Sequence, residues 1–177
     1  MTTTISDLVS PARAFADYVR QRHAYDVQLM GLAQIDQTLV RQIIESGFNE
    51  RLARHYFDGK ENAKFFMVGE KGVAVLLDDY LDILVAADGH QHNGIGPALL
   101  GRVIDETDGR SYWRSQPFRP ANDSYRRITG PNAPIPIVSV DGIAYNTYFV
   151  GYNESEIPPR LGHMTRKISN FEPKKSL

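Results

Sequence analysis

One stretch of this sequence constrains the fold more than any other: residues 80–96 run from an apolar segment straight into a glycine-rich turn. The apolar part, 80–87, is predicted to be a strand, and the turn at 91–96 reads Q-H-N-G-I-G, a Gln-x-x-Gly-x-Gly pattern. A helix should follow from Pro97, since proline is tolerated in the first helical turn. Glycines let a ligand approach the backbone, and the helix start offers unpaired amides at the positive end of its dipole. The sequence therefore predicts a turn that can bind a pyrophosphate without a lysine.

Better-known phosphate motifs do not fit this turn. A Rossmann loop needs Gly-x-Gly-x-x-Gly near the first strand and an acidic residue for the ribose, and a P-loop needs Gly-Lys-Ser/Thr. Neither pattern is present. An ordinary glycine turn remains the alternative, because short motifs also occur without function.

Composition narrows the class of protein. The chain has 177 residues, a formal net charge of −1 and no cysteine. This length suits one domain with a substantial core, and the near-neutral charge argues against a nucleic-acid partner. Without cysteine, disulfides, thiolate metal sites and a cysteine nucleophile are excluded. No apolar run reaches the roughly 20 residues of a membrane span, and no signal-peptide pattern begins the sequence, so we expect no membrane partner and a cytoplasmic location.

Hydrophobic periodicity and turn residues predict helices and strands along the chain. We expect helices at 5–23, 36–46, 49–57, 97–106 and 122–128, the second capped by Asp36 and ended by Gly47. We expect strands at 63–68, 73–77, 80–87, 111–115, 135–140 and 143–152, the last two joined at 141–142 as a hairpin. Segment 25–33 fits a strand or a short helix, and the tail after Ile157 should be extended. The order predicts an α/β fold.

Several short segments match a known family in order and spacing. They are Phe48 with Arg51-Leu52 and Tyr56-Phe57, then Tyr80-Leu81-Asp82, the turn at 91–96, Trp113-Arg114-Ser115, and Asn122 with Tyr125. Over residues 36–152 the chain resembles the GNAT acetyltransferases, and within them the acetyltransferase domain that follows an amino-acid-kinase domain in vertebrate-like N-acetylglutamate synthases. The resemblance implies a mixed, mostly antiparallel central sheet flanked by helices. The expected parts are an N-terminal helical arm at 1–35, the acetyltransferase domain at 36–157 and an extended tail at 158–177.

The resemblance implies acetyl-CoA as the co-substrate and no metal. In that family the coenzyme lies in a notch between splayed strands, with its pantetheine on strand backbone and its pyrophosphate on the glycine turn. The corresponding cofactor-binding residues are Ile83, Leu84 and Val85 on the strand, and Gln91, Asn93, Gly94, Ile95 and Gly96 in the turn. Tyr125 matches the family's tyrosine near the coenzyme sulfur, so the resemblance makes it the general acid toward the departing thiolate. Its alternative role is packing, since a tyrosine is commonly part-buried with its hydroxyl bonded.

An acidic amino-acid substrate needs fixed cations, because a bidentate arginine is the best partner of a carboxylate. The family's basic site is rearranged here: its lysine after the strand aspartate is Ile83, and its second arginine after Trp-Arg-Ser is Gln116. Arg119 stands where the family has an asparagine and can replace a missing charge. The expected substrate-binding residues are Arg51, Arg114, Arg119 and Asn122. For any single arginine the alternative is a solvated surface charge.

Other polar residues are weaker candidates. His90 and His92 form a His-x-His pair, but no third ligand lies at metal spacing, so we expect no metal site. Asp82 should face away from Ile83 by strand alternation, which indicates a surface or supporting residue. His55 and Glu70 can accept a proton from an amine, and nothing in the sequence selects one of them.

The resemblance and the residues together predict an N-acetyltransferase that moves the acetyl group of acetyl-CoA to the α-amine of an acidic amino acid, with glutamate, and so arginine biosynthesis, in first place. The expected partner is a small-molecule amino acid, with a homo-oligomer or an amino-acid-kinase protein as further candidates. A non-catalytic acetyltransferase-like module for regulation or assembly remains the first alternative. An acetyltransferase for another amine, such as a polyamine or a protein lysine, is the second.

Overall fold

The computed structural model describes residues 2–129, 132–138, 142–161 and 171–172. Its strands are β1 Gln28–Gly31, β2 Arg51–Leu52, β3 Lys64–Val68, β4 Gly72–Leu77, β5 Tyr80–Ala86, β6 Ser111–Ser115, β7 Ile135–Val138, β8 Ala144–Val150 and β9 Phe171–Glu172. Its helices are α1 Ile5–Arg22, α2 Gln37–Phe48, α3 Ile95–Glu106, α4 Ala121–Ile128 and α5 Ile157–Leu161, with a 3₁₀ turn at Glu154–Glu156.

Seven strands form one sheet in the order β1-β3-β4-β5-β6-β8-β7, and β2 pairs with β9 in a small second sheet. Neighbours in the large sheet are antiparallel except β5 and β6, which run parallel. Parallel neighbours need a crossover connection, and α3 supplies it. The parallel pair lies in the middle of the sheet: β5 leads into the predicted coenzyme turn, and β6 follows α3.

Helix starts follow their capping residues. Thr4 and Asp7 form a capping box at the start of α1, each side chain bonding the other's backbone amide. Asp36 caps α2 by accepting hydrogen bonds from the Thr38 and Leu39 amides, as the sequence predicts. These caps satisfy amides that the first helical turn leaves without partners.

The large sheet is covered on both faces. One face packs against α1, α3 and α4, through a cluster that includes Phe66, Leu81, Leu99 and Trp113. The other face packs against α2, through Val40, Ile43 and Ile44 of the helix and inward residues of β3, β4 and β5. A smaller cluster of Tyr80, Tyr112, Phe149, Tyr152, Ile157 and Leu161 joins the sheet to α5. Burial on two faces explains why the central strands read as nearly continuous apolar runs.

The N-terminal helix is part of the first of these clusters. Its buried residues Val9, Ala12, Ala16 and Val19 are at most 3% exposed. Gly101 of α3 lies against Ala16 and Val19, so the two helices approach closely where α3 lacks a side chain.

The predicted end of the second helix is wrong. Gly47 lies inside α2, and the helix ends after Phe48 at Asn49, which has the left-handed φ of 52° that asparagine tolerates. Gly47 is a glycine for a different reason: a Cβ there would overlap Val85 and the Ala86 carbonyl of β5. The glycine thus marks close helix-to-strand packing.

Two further predictions are corrected. Residues 49–57 do not form a helix: Arg51–Leu52 is strand β2, whose partner β9 lies far along the chain, beyond the reach of local periodicity. Arg41 also donates hydrogen bonds to the carbonyls of Leu52, Ala53 and Arg54, which holds this segment non-helical. The tail is not extended at its start, because Ile157–Leu161 is helical and buries Ile157 and Leu161 against the third cluster.

The remaining elements agree with expectation within a few residues. Segment 25–33 contains strand β1, paired with β3. The hairpin of β7 and β8 is antiparallel, and its predicted turn at Asp141 lies outside the described residues.

Candidate coenzyme and acceptor site

The glycine turn has the geometry of an anion site. Gly94 is the N-cap of α3 with a left-handed φ of 81°, and its carbonyl accepts the first helical hydrogen bond, from Ala98, at 3.0 Å. Among the described residues no hydrogen bond uses the Ile95 or Gly96 amide, and Pro97 has no amide to offer. A Cβ built on Gly96 meets nothing within 4 Å. The turn therefore presents two backbone donors beside open space, at the positive end of α3.

Contacts from two other elements hold the turn. The Tyr25 hydroxyl donates to the Asn93 carbonyl at 2.6 Å, and the His23 imidazole lies against Gly94, where a Cβ would overlap it. The Gln91 side-chain Nε2 donates to the Gly47 carbonyl of α2 at 3.2 Å. In this structure Gln91 thus anchors the turn through its side chain.

Strands β5 and β6 separate soon after they meet. They pair only at Tyr80 with Tyr112 and Leu81 with Trp113, although β5 continues to Ala86. The register with β4 shifts at the same point, since Val75 pairs with Ile83 but Leu76 pairs with Leu81. Asp82 is therefore an extra, bulged residue, and bulges increase local twist and bend a strand.

This separation leaves a wedge between β5 and β6. Beyond Leu81 the edge of β5 that faces β6 makes no ladder with it, so the backbone of residues 83–85 is open on that side. Ile83 and Val85 are buried against α2, while Leu84 is half-buried on the α3 face. The predicted pantetheine-binding residues thus offer backbone groups in a wedge whose wide end leads to the glycine turn.

Tyr125 lies on the α3 face near the closed end of this wedge. Its ring packs edge-on against Trp113 at a centroid distance of 5.3 Å and lies tilted against Tyr148 at 5.2 Å. Trp113 is the residue that pairs with Leu81 at the point of separation. Burial, with a smaller contribution from Tyr148, raises the pKa of the Tyr125 phenol to about 12. The phenol is therefore protonated at neutral pH.

Arg114 and Tyr80 lie on the opposite face of the sheet. The Arg114 Nε donates to the Tyr80 hydroxyl at 3.1 Å, and the guanidinium stacks over the Tyr145 ring at 4.7 Å. Burial raises the pKa of the Tyr80 phenol well above its usual range, with Arg114 opposing and Asp82 adding to the effect. Arg114 is half-buried and has no ion pair within the described part of the chain.

The Asp82 side chain is on the Arg114 face, which corrects the prediction from strict alternation. The Tyr56 hydroxyl donates to Asp82 Oδ2 at 2.7 Å, and the Tyr56 ring belongs to the same cluster as Ile83. The bulge explains the difference, because an extra residue breaks the alternation of side chains along β5.

The other predicted substrate-binding arginines occupy a second location. Arg119 Nη2 pairs with Glu50 Oε1 at 2.9 Å, and its guanidinium lies 5.3 Å from the Phe48 ring and 5.2 Å from the Phe118 ring. Arg51, the next residue after Glu50, is the first residue of strand β2 and is exposed. The structure brings Arg119 beside the Glu50–Arg51 segment, whereas Arg114 lies among tyrosines at the wedge.

Asn122 has a structural role at the start of α4. Its Nδ2 donates to the carbonyls of Gln116 and Pro117 at 2.8 and 3.0 Å, which fixes the loop after β6. Its Oδ1 is buried without a hydrogen-bond partner among the described residues, and the same holds for four other polar atoms of this neighbourhood: Trp113 Nε1, Gln116 Oε1, Thr147 Oγ1 and Tyr148 Oη. Unsatisfied buried groups are rare in native proteins and call for a water or ligand partner. They gather around β6, its partner strand β8 and the loop that follows β6.

The two proton acceptors considered from sequence lie away from this point. His55 is 77% exposed and pairs with Asp58 at 3.3 Å. Glu70 is exposed in the turn between β3 and β4. In this turn the Lys71 carbonyl accepts a hydrogen bond from the Ala87 amide, so the turn lies at the end of β5 that is remote from Asp82. Sequence reasoning instead missed the pair of Tyr56 with Asp82 and the buried Thr147 opposite Arg114, because both depend on strand register.

No family model matches the sequence, and no curated protein matches it either. The structure is similar to that of the ribosomal-protein-S18-alanine N-acetyltransferase from Escherichia coli, with a TM-score of 0.53 and 16% identity, over 75% of this chain and 99% of that chain. Weaker similarities, with TM-scores of 0.49 and 0.48, involve a Desulfovibrio desulfuricans protein described as a GNAT-family acetyltransferase and PH1933 from Pyrococcus horikoshii OT3. Their identities are 21% and 12%, over 70% of this chain and 98% of each of those chains.

The similarity to the Escherichia coli structure shows a shared fold. It confirms the predicted GNAT-like class, a mixed and mostly antiparallel sheet flanked by helices, with an N-terminal helix present. Within the described ranges, no three His, Asp or Glu side chains are grouped so that they could hold a metal ion. In the same residues, no helix is both long and apolar enough to span a membrane.

Proposed function

We propose that this chain is an acetyl-CoA-dependent N-acetyltransferase that acts on the α-amine of an acidic amino acid, with glutamate as the leading acceptor. One observation carries the proposal: β5 separates from β6 at Asp82 and leads into a glycine turn with two unbonded amides. A wedge with open strand backbone suits a pantetheine arm, and the turn suits its pyrophosphate. Ile83, Leu84 and Val85 with Gln91, Asn93, Gly94, Ile95 and Gly96 would form this coenzyme site.

The chemistry requires positioning more than covalent catalysis. Acetyl-CoA supplies a thioester. The acceptor's ammonium first loses a proton to water; the neutral nitrogen then forms a C–N bond as the C–S bond breaks, gives a second proton to water, and the CoA thiolate takes one proton from water. Tyr125 lies at the closed end of the wedge with its phenol protonated. A thiol has a pKa of about 8.5, so a phenol with a pKa of about 12 stabilises the departing thiolate by donating a hydrogen bond more readily than by giving up its proton.

Arg114 is the strongest candidate for the acceptor's carboxylate. It is half-buried, held by Tyr80 and stacked on Tyr145, so its guanidinium is pre-oriented at low entropic cost. Thr147, directly opposite Arg114 in the β6–β8 pair, has a buried hydroxyl that bonds to none of the described residues. Arg51 and Arg119 remain candidates for a second, side-chain carboxylate, and Asn122 shapes the loop between the two groups.

A second class of acceptor competes with a free amino acid. By its name, the Escherichia coli protein of similar fold acts on an alanine of ribosomal protein S18, and the amine of a peptide is therefore a second acceptor class to compare. The resemblance to the N-acetylglutamate synthase domain and the half-buried Arg114 support a free amino acid and a role in arginine biosynthesis. A coenzyme-binding module without turnover is the non-catalytic alternative.

A direct assay tests the proposal. Purified protein is incubated with acetyl-CoA and each of the amino acids, common polyamines and an alanyl peptide, and free CoA is measured. We expect release with glutamate or aspartate above the rest, and the Arg114→Lys variant should lose most of it, since lysine cannot make the bidentate pair. Acetyl-CoA affinity, measured by calorimetry, should be the same in both proteins.

Other outcomes point elsewhere. Acetyl-CoA binding without CoA release from any amine would favour the non-catalytic module. Preference for the peptide or a polyamine, with no effect of Arg114→Lys, would remove the acidic amino acid as acceptor. A protein that does not bind acetyl-CoA at all would refute the proposal itself.

A further inference from the structure

A bulge presents a carboxylate at the closed end of the wedge. Asp82 is the extra residue of β5, and it follows Leu81, the last residue that pairs with β6. Without the bulge, strict alternation would place the Asp82 and Ile83 side chains on opposite faces of the sheet. With it, the carboxylate reaches Tyr56 on the α2 face.

The surroundings fix this carboxylate. The Tyr56 hydroxyl donates to Asp82 Oδ2 at 2.7 Å, and the Tyr56 side chain is only 3% exposed. Burial, followed by the charge and hydrogen bond of Asp82, raises the pKa of the Tyr56 phenol well above its usual range. Tyr56 therefore stays protonated and always acts as the donor. Asp82 itself is half-buried, so it can still be reached.

Asp82 shares its neighbourhood with the Arg114 guanidinium. Its charge acts on Tyr80, whose hydroxyl accepts a hydrogen bond from Arg114, and on Arg114 itself. A carboxylate and a guanidinium, each oriented by a tyrosine, thus stand on one face at the point where the strands separate. Tyr125 is on the opposite face at the same point.

We infer that Asp82 binds the ammonium group of the acceptor while Arg114 binds its carboxylate, so that the site selects α-amino acids as zwitterions. This inference rests on the proposed function, because the acetyl group must reach the closed end of the wedge between Tyr125 and Asp82. It explains why a strand in a buried sheet carries an aspartate there. Polyamines lack a carboxylate. In a protein, the α-amine is at the N-terminus and the α-carboxylate at the C-terminus, so the two groups are not on the same carbon.

Pairs of ligands that differ only in the amine test the inference. Glutamate is compared with glutarate, and alanine with propionate, by calorimetry on the CoA-loaded protein, which needs no turnover. The Asp82→Asn variant keeps an oxygen for the Tyr56 hydroxyl and loses only the charge. Asp78→Asn, at an exposed position of the turn before β5, is the matched control.

We expect the wild-type protein to prefer glutamate over glutarate, and Asp82→Asn to reduce that preference about 10- to 100-fold, the range of a charged hydrogen bond. Glutarate affinity should stay within about two-fold of wild type, and Asp78→Asn should change neither ligand. Tyr56→Phe, which leaves the carboxylate charged but less fixed, should give an intermediate loss of preference.

Contrary results separate the inference from the proposed function. Equal weakening of glutamate and glutarate in Asp82→Asn would give Asp82 a purely structural role and overturn the inference. An unchanged preference, or a wild-type protein that binds neither amino acid, would also overturn it. Acetyl transfer to amino acids at the wild-type rate in Asp82→Asn would leave the proposed function standing and the inference refuted.

Discussion

The imidazole of His23 packs against the α-carbon of Gly94, so the residue that ends the N-terminal helix contacts the residue that begins α3. The Tyr25 hydroxyl adds a hydrogen bond to the Asn93 carbonyl at 2.6 Å. The segment after α1 thus packs against the glycine turn and holds it in place. Gly94 and Gly96, two residues apart, consequently have different reasons to be glycine.

Substitutions at the two glycines should therefore have opposite effects on stability. Gly94→Ala combines a left-handed φ of 81° with overlap of His23, and it should destabilise the fold by more than about 1 kcal/mol. Gly96→Asp meets open space and places a negative charge in the first turn of α3, so it should leave the melting temperature unchanged or raise it. The same charge should repel the pyrophosphate and abolish acetyl-CoA binding, as measured by calorimetry.

Gly96→Ser, of similar size but neutral, is the control and should keep most of the affinity for acetyl-CoA. If the folded Gly96→Asp protein bound acetyl-CoA as tightly as wild type, the glycine turn would not be the pyrophosphate site.

Local sequence signals were sufficient for the strand, turn and helix at 80–106, because strand periodicity, glycines and a proline lie next to one another in the chain. They were insufficient at Asp82, because a bulge is a property of two paired strands. The same limit applies to β2, whose partner Phe171–Glu172 is more than a hundred residues away. The candidate site shows both cases: the turn was predicted, whereas Tyr56, Thr147 and His23 depend on tertiary contacts.

Buried tyrosines should make the protein sensitive to alkaline pH. The Tyr125 pKa is raised from 10.0 to about 12, so this group stabilises the fold below pH 10, and the contribution is lost as pH rises toward 12. At 1.36 kcal/mol per pKa unit, the loss for Tyr125 alone is on the order of 3 kcal/mol. Urea unfolding at pH 7, 9, 10 and 11 should give a constant free energy up to about pH 9 and a fall above it.

The Tyr125→Phe variant should show a shallower fall in unfolding free energy, since it has no phenol to ionise on unfolding. Tyr18→Phe is the comparison, because Tyr18 is 51% exposed. An equal alkaline slope in wild type and Tyr125→Phe would contradict the burial of an un-ionised phenol at this position.

The ion pair of Arg119 with Glu50 should weaken the binding of an acceptor's side-chain carboxylate. If Arg119 binds that carboxylate, Glu50 competes for the same guanidinium at 2.9 Å. Glu50→Gln should then lower the KM for glutamate, and Arg119→Ala should raise it, while neither changes the KM for alanine. Steady-state kinetics with both amino acids measures this, and identical shifts for glutamate and alanine would assign the pair to loop structure alone.

Tyr125→Phe should separate catalysis from binding. The ring contacts with Trp113 and Tyr148 survive the substitution, so the fold and the affinity for acetyl-CoA should not change. The hydrogen bond to the departing thiolate is lost, and kcat should fall about 10²-fold, in the range found when one preorganised donor to a developing anion is removed. Single-turnover measurements are needed, because product release must not mask the chemical step. Tyr148→Phe, which removes a hydroxyl from the same aromatic cluster, should retain kcat; a fall of equal size in both variants would show that Tyr125 contributes through packing and not through a hydrogen bond to the thiolate.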